Sequence, residues 1–416
     1  MVVLPQGSVT RRPGTFYAYG TPSNAQVRLI PFNRGQGTSV VLEFSNNKIR
    51  FYANDGIIES SGSPYEVTTT YTTAQLADIS FTQSADVLFL VHPTHPPREL
   101  KRLDVTSWTL TDIVFKDGPY FPVNTEDTTL TISLADTANW TASFTNSTLE
   151  AEQVITVTAS NVDIATESFT SDNHPFVNGQ KVRFTGGTSI AGVTAGTDYF
   201  IVQATQNTFK LATSAGGTPA NITTAPTTDL TFFQDIVGKD AYIKIVASAT
   251  TGINLDLGFQ SSDVGRLVRL NTQVAPQIKW GYAEILELDS SAPTTTILAK
   301  TKGALSTLGS TTEWQLGSFS STTGYPRSVQ IYQQRLVFGG TSSEPQTVYF
   351  SKTADFNNFA ASEPLGQSTG RTDSAGKTII GEQIFEDNAI SLTISSDTVD
   401  LIEWLNEDRR LTVGTS

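Results

Sequence analysis

Ala85-Asp-Val-Leu-Phe-Leu-Val-His-Pro-Thr-His-Pro-Pro-Arg-Glu-Leu-Lys-Arg102, followed by Trp108, is the stretch on which the fold reading turns. A second stretch repeats its plan: Gln334-Arg-Leu-Val-Phe-Gly-Gly-Thr-Ser-Ser-Glu-Pro-Gln-Thr-Val-Tyr-Phe-Ser351, followed by Phe356 and Phe359. Each has an apolar strand, a proline-containing loop, a second strand with period-2 alternation and an aromatic residue shortly after. Alternation of that period puts one face of the strand on a core and the other in water. Leu401-Ile-Glu-Trp404 and Arg410-Leu-Thr-Val-Gly-Thr415 read as the opening strands of a third copy. Repeated antiparallel sheets of this kind are how propeller blades are written in sequence. The expected fold class is therefore all-β, with a β-propeller-like domain split by inserted small β-barrel or sandwich modules. Two similar hairpins in one β-sandwich would give the same local signal. The third copy stops at Ser416 in mid-blade, so the native chain is expected to continue past it.

Outward from the repeats, short runs of Val, Ile, Thr, Tyr and Phe recur about every 8–12 residues between Gly, Pro, Asn, Asp and Ser clusters. Val40–Phe44 and Lys48–Tyr52 flank Ser45-Asn46-Asn47, a hairpin with an Asn-rich turn. Residues 180–185, 198–204 and 207–213 read as further strands, and helical periodicity is limited to about one turn at Ala74–Ala77. Pro119-Tyr-Phe-Pro122 and Thr322-Thr-Gly-Tyr-Pro326 punctuate this pattern. The organisation expected is an N-terminal propeller part (1–122), a connecting β-module (123–167), an inserted small β-module (168–234), a second β-module (235–319) and a C-terminal propeller part (320–416).

Composition removes whole classes of chemistry. The 416 residues include no Cys, one Met and three His, which excludes disulfides, thiolate zinc sites and Cys nucleophiles. A net charge of −13 argues against wrapping duplex DNA by counterion release. No window approaches the ~18 apolar residues of a membrane span, and Met1-Val-Val-Leu-Pro5, short and without basic residues, is not expected to open a signal peptide. There is no P-loop, G-x-S-x-G or H-E-x-x-H motif. Charge is uneven: residues 1–122 are neutral, whereas 123–250 carry net −7 and 251–416 net −6.

A longer series of motifs runs through the chain in order. Arg12-Pro-Gly-Thr15, Arg28-Leu-Ile-Pro-Phe32, Leu42-Glu-Phe44, Ile49-Arg-Phe-Tyr52 and Pro64-Tyr65 come first. Gln83-Ser-Ala-Asp-Val87, His92-Pro-x-x-Pro-Pro-Arg98, Thr106-Ser-Trp108 and Asp117-Gly-Pro-Tyr120 follow. Downstream stand Asp263-Val-Gly-Arg266, Trp280-Gly-Tyr-Ala283, Gly324-Tyr-Pro-Arg327, Gln334-Arg-Leu-Val-Phe338, Pro345-Gln-Thr-Val348 and Asp355-Phe-x-x-Phe359. This series resembles the tail nozzle (tail tubular protein B) family of short-tailed bacteriophages, over roughly residues 1–120 and 255–416. The resemblance implies a virion protein of the tail: a ring of identical subunits, expected to be six, through whose lumen the genome leaves. It implies as partners a tail adaptor protein, tail fibres, ejected internal proteins, viral DNA in transit without sequence-specific binding, and the host cell surface. The segment from Phe169 to Leu211 is in turn similar to a small β-module inserted in many phage structural proteins.

Few residues offer candidate chemistry. His92 and His95 are spaced i,i+3, but prolines 93, 96 and 97 predict an extended loop in which the imidazoles need not meet. Ser351-Lys-Thr-Ala-Asp355-Phe-Asn-Asn-Phe359 distantly resembles the Asp-box turn of sialidase propellers, where the Asp satisfies backbone donors; the expected Gly is missing. A sialidase also needs an Arg cluster and a Tyr nucleophile, and Arg266, Arg327, Arg335 and Arg371 do not announce one. The pairs Glu126-Asp127, Glu386-Asp387 and Glu407-Asp408 read as solvated, since adjacent carboxylates on a strand point to opposite faces. The expectation is a non-enzyme with no catalytic, metal or cofactor site. Arg11 and Arg12 are the candidate contact, to a neighbouring subunit or to DNA. The subunit is preferred, because a conduit that grips its cargo stalls it. For the same reason an acidic, hydroxyl-rich lumen is expected, drawn partly from residues 123–319. The competing function is a glycan-binding or depolymerising tail adhesin.

Overall fold

The computed structural model describes residues 2–3, 9–10, 17–34, 38–138, 140–272, 280–372, 378–395 and 397–416. The protein is nearly all β, with 46% of residues in strands and 4% in helix, distributed over several sheets. Two compact units divide the chain: Met1–Val114 with Tyr325–Val348 and Thr393–Ser416, and Phe115–Gly324 with Tyr349–Leu392.

In the first unit, Thr38–Ser45 and Lys48–Ala53 form the Asn-turned hairpin that the sequence predicts. Asn47 takes the left-handed conformation (φ 59°) that a tight hairpin turn demands. Strand Arg28–Arg34 pairs with the hairpin's first strand, sending Ile30 and Phe32 inward and leaving Leu29 exposed. The one-turn helical segment is a 3₁₀ turn, Thr73–Asp78, which buries Leu76.

The first repeat lies in a four-stranded antiparallel meander: Ser80–Ser84, Val87–His92, His95–Asp104 and Ser107–Asp112. The second lies in a four-stranded sheet ordered Ser328–Tyr332, Arg335–Gly339, Thr347–Phe350 and Ile390–Thr393. Both repeats thus supply the second and third strands of a four-stranded sheet. One local expectation fails. Pro96 and Pro97 lie in strand His95–Asp104, and the turn is only Pro93-Thr94. The ladder shifts register between Leu90 and His92, opposite the two prolines, where missing N–H groups cost no regular ladder bond. Ile402–Glu407 and Leu411–Thr415, the expected opening of a third copy, form a two-stranded antiparallel hairpin.

The core under these strands is aromatic. The Trp108 ring lies 4.6 Å from that of Phe51 and meets Phe32 edge-on at 4.8 Å. Its backbone N–H donates to the Tyr65 hydroxyl at 3.0 Å, which ties the last strand of the meander to residue 65 just upstream of it.

The second unit contains two seven-stranded sheets. One runs Gly309–Thr311, Leu130–Leu134, Tyr242–Ala247, Thr296–Thr301, Trp280–Leu288, Leu267–Asn271 and Trp314–Leu316. Its two edge strands are separated by only Thr312 and Glu313, so the sheet curls nearly into a barrel. Ile132, Ile243, Ile245, Val268, Ile285 and Ile297 fill it. The other sheet spans 150–236 and is inserted between two neighbouring barrel strands, 130–134 and 242–247. It takes in the 168–234 segment together with strand Glu150–Val157. Five phenylalanines, Phe169, Phe176, Phe184, Phe209 and Phe232, form its centre. Gly192 (φ +98°) passes so close to the Asn221 carbonyl that a Cβ would collide with it.

Phe51→Ala removes a fully buried ring from the first unit and is expected to destabilise it by about 3–5 kcal/mol. Amide hydrogen exchange of strand 48–53 under increasing denaturant measures the loss; an unchanged midpoint would contradict the packing described.

Candidate functional site

The residues that the sequence singles out fare unevenly in the structure. Arg11 and Arg12 lie outside the described residues. His92 and His95 do meet, contrary to expectation, because they are register partners across the Pro93-Thr94 turn. Their ring centroids are 5.1 Å apart, and Tyr71 lies 5.0 Å from His95. The His92 Nδ1 accepts from the Thr94 N–H at 3.2 Å, so in the neutral ring the proton sits on Nε2. Burial, together with the neighbouring His95, pulls the His92 pKa down to about 4. Burial and Arg98 lower that of His95. The Arg98 guanidinium lies 5.3 Å from the Tyr71 ring centroid, a poor neighbour for a bound cation. Among the described residues no group of three or more His, Asp or Glu side chains is arranged to hold a metal ion.

The Asp355 carboxylate, at the position of the Asp-box aspartate, pairs with the Lys116 ammonium at 2.8 Å. Arg266 and Arg327 are each engaged, by Asp263 and Glu403 respectively; Arg371 belongs to a strand whose side chains are outside the described set. The carboxylates of 126–127, 386–387 and 407–408 are all exposed. Of the tryptophans, Trp108 and Trp314 are buried and Trp404 is half-exposed. Trp280 carries the Arg269 guanidinium 4.9 Å from its ring centroid.

The most elaborate polar arrangement lies at the base of the loop 250–266 in the second unit, and composition gives no sign of it. The side chains of Asp263 and Arg266 are 0% and 2% exposed, paired at 2.7 Å. The same Arg266 Nη1 donates to Asn254 Oδ1 at 2.7 Å, and Arg266 Nε donates to the Gly317 carbonyl. Asn254 Nδ2 in turn donates to Asp263 Oδ2 at 2.6 Å and to the Gly258 carbonyl at 3.0 Å. The Gln260 N–H donates to Asp263 Oδ2 at 2.8 Å. A buried ion pair costs desolvation and holds only where geometry and extra hydrogen bonds satisfy it; here both charges have them. Ile253 and Phe259 anchor the loop in the barrel core.

Between those anchors the loop turns its leucines outward: Leu255 is 72% exposed and Leu257 55%. Asn254, Leu255 and Asp256 are consecutive left-handed residues, with φ 52°, 59° and 69°. A leucine in that region is strained, and such strain persists only where surrounding structure over-determines it. The signal for it in the sequence is Gly252-Ile-Asn-Leu-Asp-Leu-Gly258, an alternating run closed at both ends by glycine. The same unit has a cavity of about 450 Å³ lined by Leu149, Val177, Asn178, Gln180, Lys181 and Leu308, among others.

Compared with known proteins, the sequence matches no family model and no curated protein.

Two outcomes are expected. Asp263→Ala leaves the Arg266 charge buried and unpaired, which costs about 3–5 kcal/mol; chemical denaturation of the variant against the parent measures it. For His92, the folded pKa of about 4 lies below the unfolded value near 6.5. The unfolded state therefore binds more protons between them, and stability falls as pH drops from about 6.5 to about 4. Thermal denaturation across that window is expected to show a shallower fall in His92→Gln.

Proposed function

We propose that the chain is a structural component of a bacteriophage tail. In this reading its copies form the distal ring, or nozzle, through which the genome is ejected and onto which adaptor and fibres assemble. The finer fold reading, a propeller interrupted by inserted β-modules, belongs to the same proposal; the two four-stranded sheets that carry the repeats support it. The observation that carries the function is where the ordered motif residues fall. Trp108 is in the aromatic core, Asp263 and Arg266 form the buried lock, Trp280 stacks on Arg269, and Phe359 packs 5.6 Å from Phe115. These are framework positions, as expected where a motif series encodes architecture.

Genome passage sets an electrostatic condition. Duplex DNA carries one charge per about 1.7 Å of axis, so a wall rich in cations would hold it. A chain with net −13 can line a lumen with hydroxyls and carboxylates that let the duplex slide. Cargo is then moved without sequence recognition, and no reaction is required of the protein.

Analytical ultracentrifugation of the chain with and without its tail adaptor protein tests ring formation. A discrete closed oligomer, expected to be a hexamer, supports the proposal; a monomer at every concentration, adaptor included, would overturn it. For the assembled ring, duplex retention is expected to be weak and nearly independent of salt. A log–log salt slope of several units, the signature of multiple phosphate contacts, would contradict the non-adhesive lumen.

A further inference from the structure

We infer that the His92 Nε2–H, the His95 Nε2–H and the Tyr71 hydroxyl of the first unit enclose a site for one small hydrogen-bond acceptor, a water molecule or a halide ion. The inference stands apart from the tail role, since it uses only the geometry beneath the Pro93-Thr94 turn.

Three observations converge there. First, the three groups share one place. The His92 and His95 ring centroids are 5.1 Å apart, and Tyr71 lies 6.0 Å from the first and 5.0 Å from the second. Second, all three are orphaned. His92 is 2% exposed and Tyr71 0%, and among the described residues nothing bonds to either Nε2 or to the Tyr71 hydroxyl. Buried polar groups are as a rule paired, with protein or with ordered solvent. Third, the three groups do not bond to one another, so a bridging atom, rather than direct contact, completes them. Buried waters characteristically make about three bonds to groups of this kind.

The other edge of each imidazole decides the chemistry of the ligand. His92 Nδ1 accepts from the Thr94 N–H at 3.2 Å and lies 3.0 Å from the Thr94 hydroxyl. A backbone N–H cannot turn round to accept, so the proton of the neutral ring stays on Nε2. His95 Nδ1 lies 3.2 Å from Thr70 Oγ1, which accepts from Arg98 at 2.7 Å. That bond turns the Thr70 proton toward His95 Nδ1, and the His95 proton then also sits on Nε2. Burial lowers the pKa of both rings, so at neutral pH each keeps that one proton. Two N–H donors in one buried place call for an acceptor. A metal ion would need the proton moved to Nδ1 and an acceptor facing it there, where His92 meets the Thr94 N–H. The surrounding charges agree: Arg98 acts on His95 and Tyr71, and Arg327 on His92. Of the carboxylates, Asp112 is bound by Arg98 at 2.8 Å and Asp78 is exposed. The turn above the site takes a bond from the Tyr325 N–H to the Pro93 carbonyl at 3.2 Å and one from Gln75 Nε2 to Thr94 Oγ1 at 3.3 Å. Filling the site therefore stiffens a junction of three chain segments.

The chain has three histidines, so isotopic labelling of their ring nitrogens in the full chain gives a three-ring NMR spectrum with His174 as internal reference. Nε2–H tautomers are expected for His92 and His95 at neutral pH, with protons that exchange several-fold more slowly than those of an exposed imidazole. A water occupant shows as cross-relaxation from both Nε2 protons to a bound water, indifferent to chloride. A halide occupant shows as Nε2 shifts that saturate with chloride at constant ionic strength. An Nδ1–H tautomer in either ring, or the absence of both signatures, would overturn the site. So would zinc ion alone, if it moved both rings with saturation at one equivalent. Tyr71→Phe keeps the aromatic ring and removes the hydroxyl. It is expected to speed Nε2 proton exchange several-fold at His92 and His95 and to leave His174 unchanged; unaltered exchange at all three would overturn the three-point arrangement.

Discussion

The buried Asp263–Arg266 pair is the constraint on which the second unit's surface depends. Two charges withdrawn from water must satisfy each other and find further partners, or the fold cannot hold them. Here the partners are Asn254 and backbone groups of Gly258, Gln260 and Gly317. Because those groups belong to both ends of one loop and to the strand region around 317, satisfying the pair fixes the loop's course. The loop's exposed leucines are a consequence of that fixation. An isolated, flexible loop would fold its apolar side chains onto the nearest surface.

The sheets express a second constraint. A barrel that nearly closes removes most of its free strand edges, but it needs partners far apart in sequence. Leu130–Leu134 pairs with Tyr242–Ala247 and with Gly309–Thr311. The whole 150–236 sheet is accommodated between two neighbouring barrel strands. Such an insertion is tolerated where the interrupted strands already share a core, as Ile132 and Ile245 do. The phenylalanine cluster of the inserted sheet is its own core.

Local physics decides what is legible in the amino-acid order. Period-2 alternation and an Asn-rich turn locate the 38–53 hairpin, and the same alternation locates both repeat strands. The Pro93-Thr94 turn is hidden because three prolines so close together read as one loop. Pro96 and Pro97 instead occupy a register shift, a property of the partner strand as much as of the prolines. The meeting of His92 and His95 is hidden for the same reason, since cross-strand register is not written in i,i+3 spacing. Asp263-Val-Gly-Arg266 stands out as a motif, yet its partner Asn254 does not, because the buried hydrogen bonds that join them depend on tertiary placement. Leu255 and Leu257 look like strand residues in a linear reading; only left-handed backbone turns them outward. The candidates Arg11 and Arg12 lie outside the described residues.

The most direct measurement of the proposed tail role is a three-dimensional reconstruction of a phage particle in which density for this protein is sought. The proposed tail role predicts density for the chain as a closed ring on the tail axis at its distal end. Density on a lateral spike would contradict it.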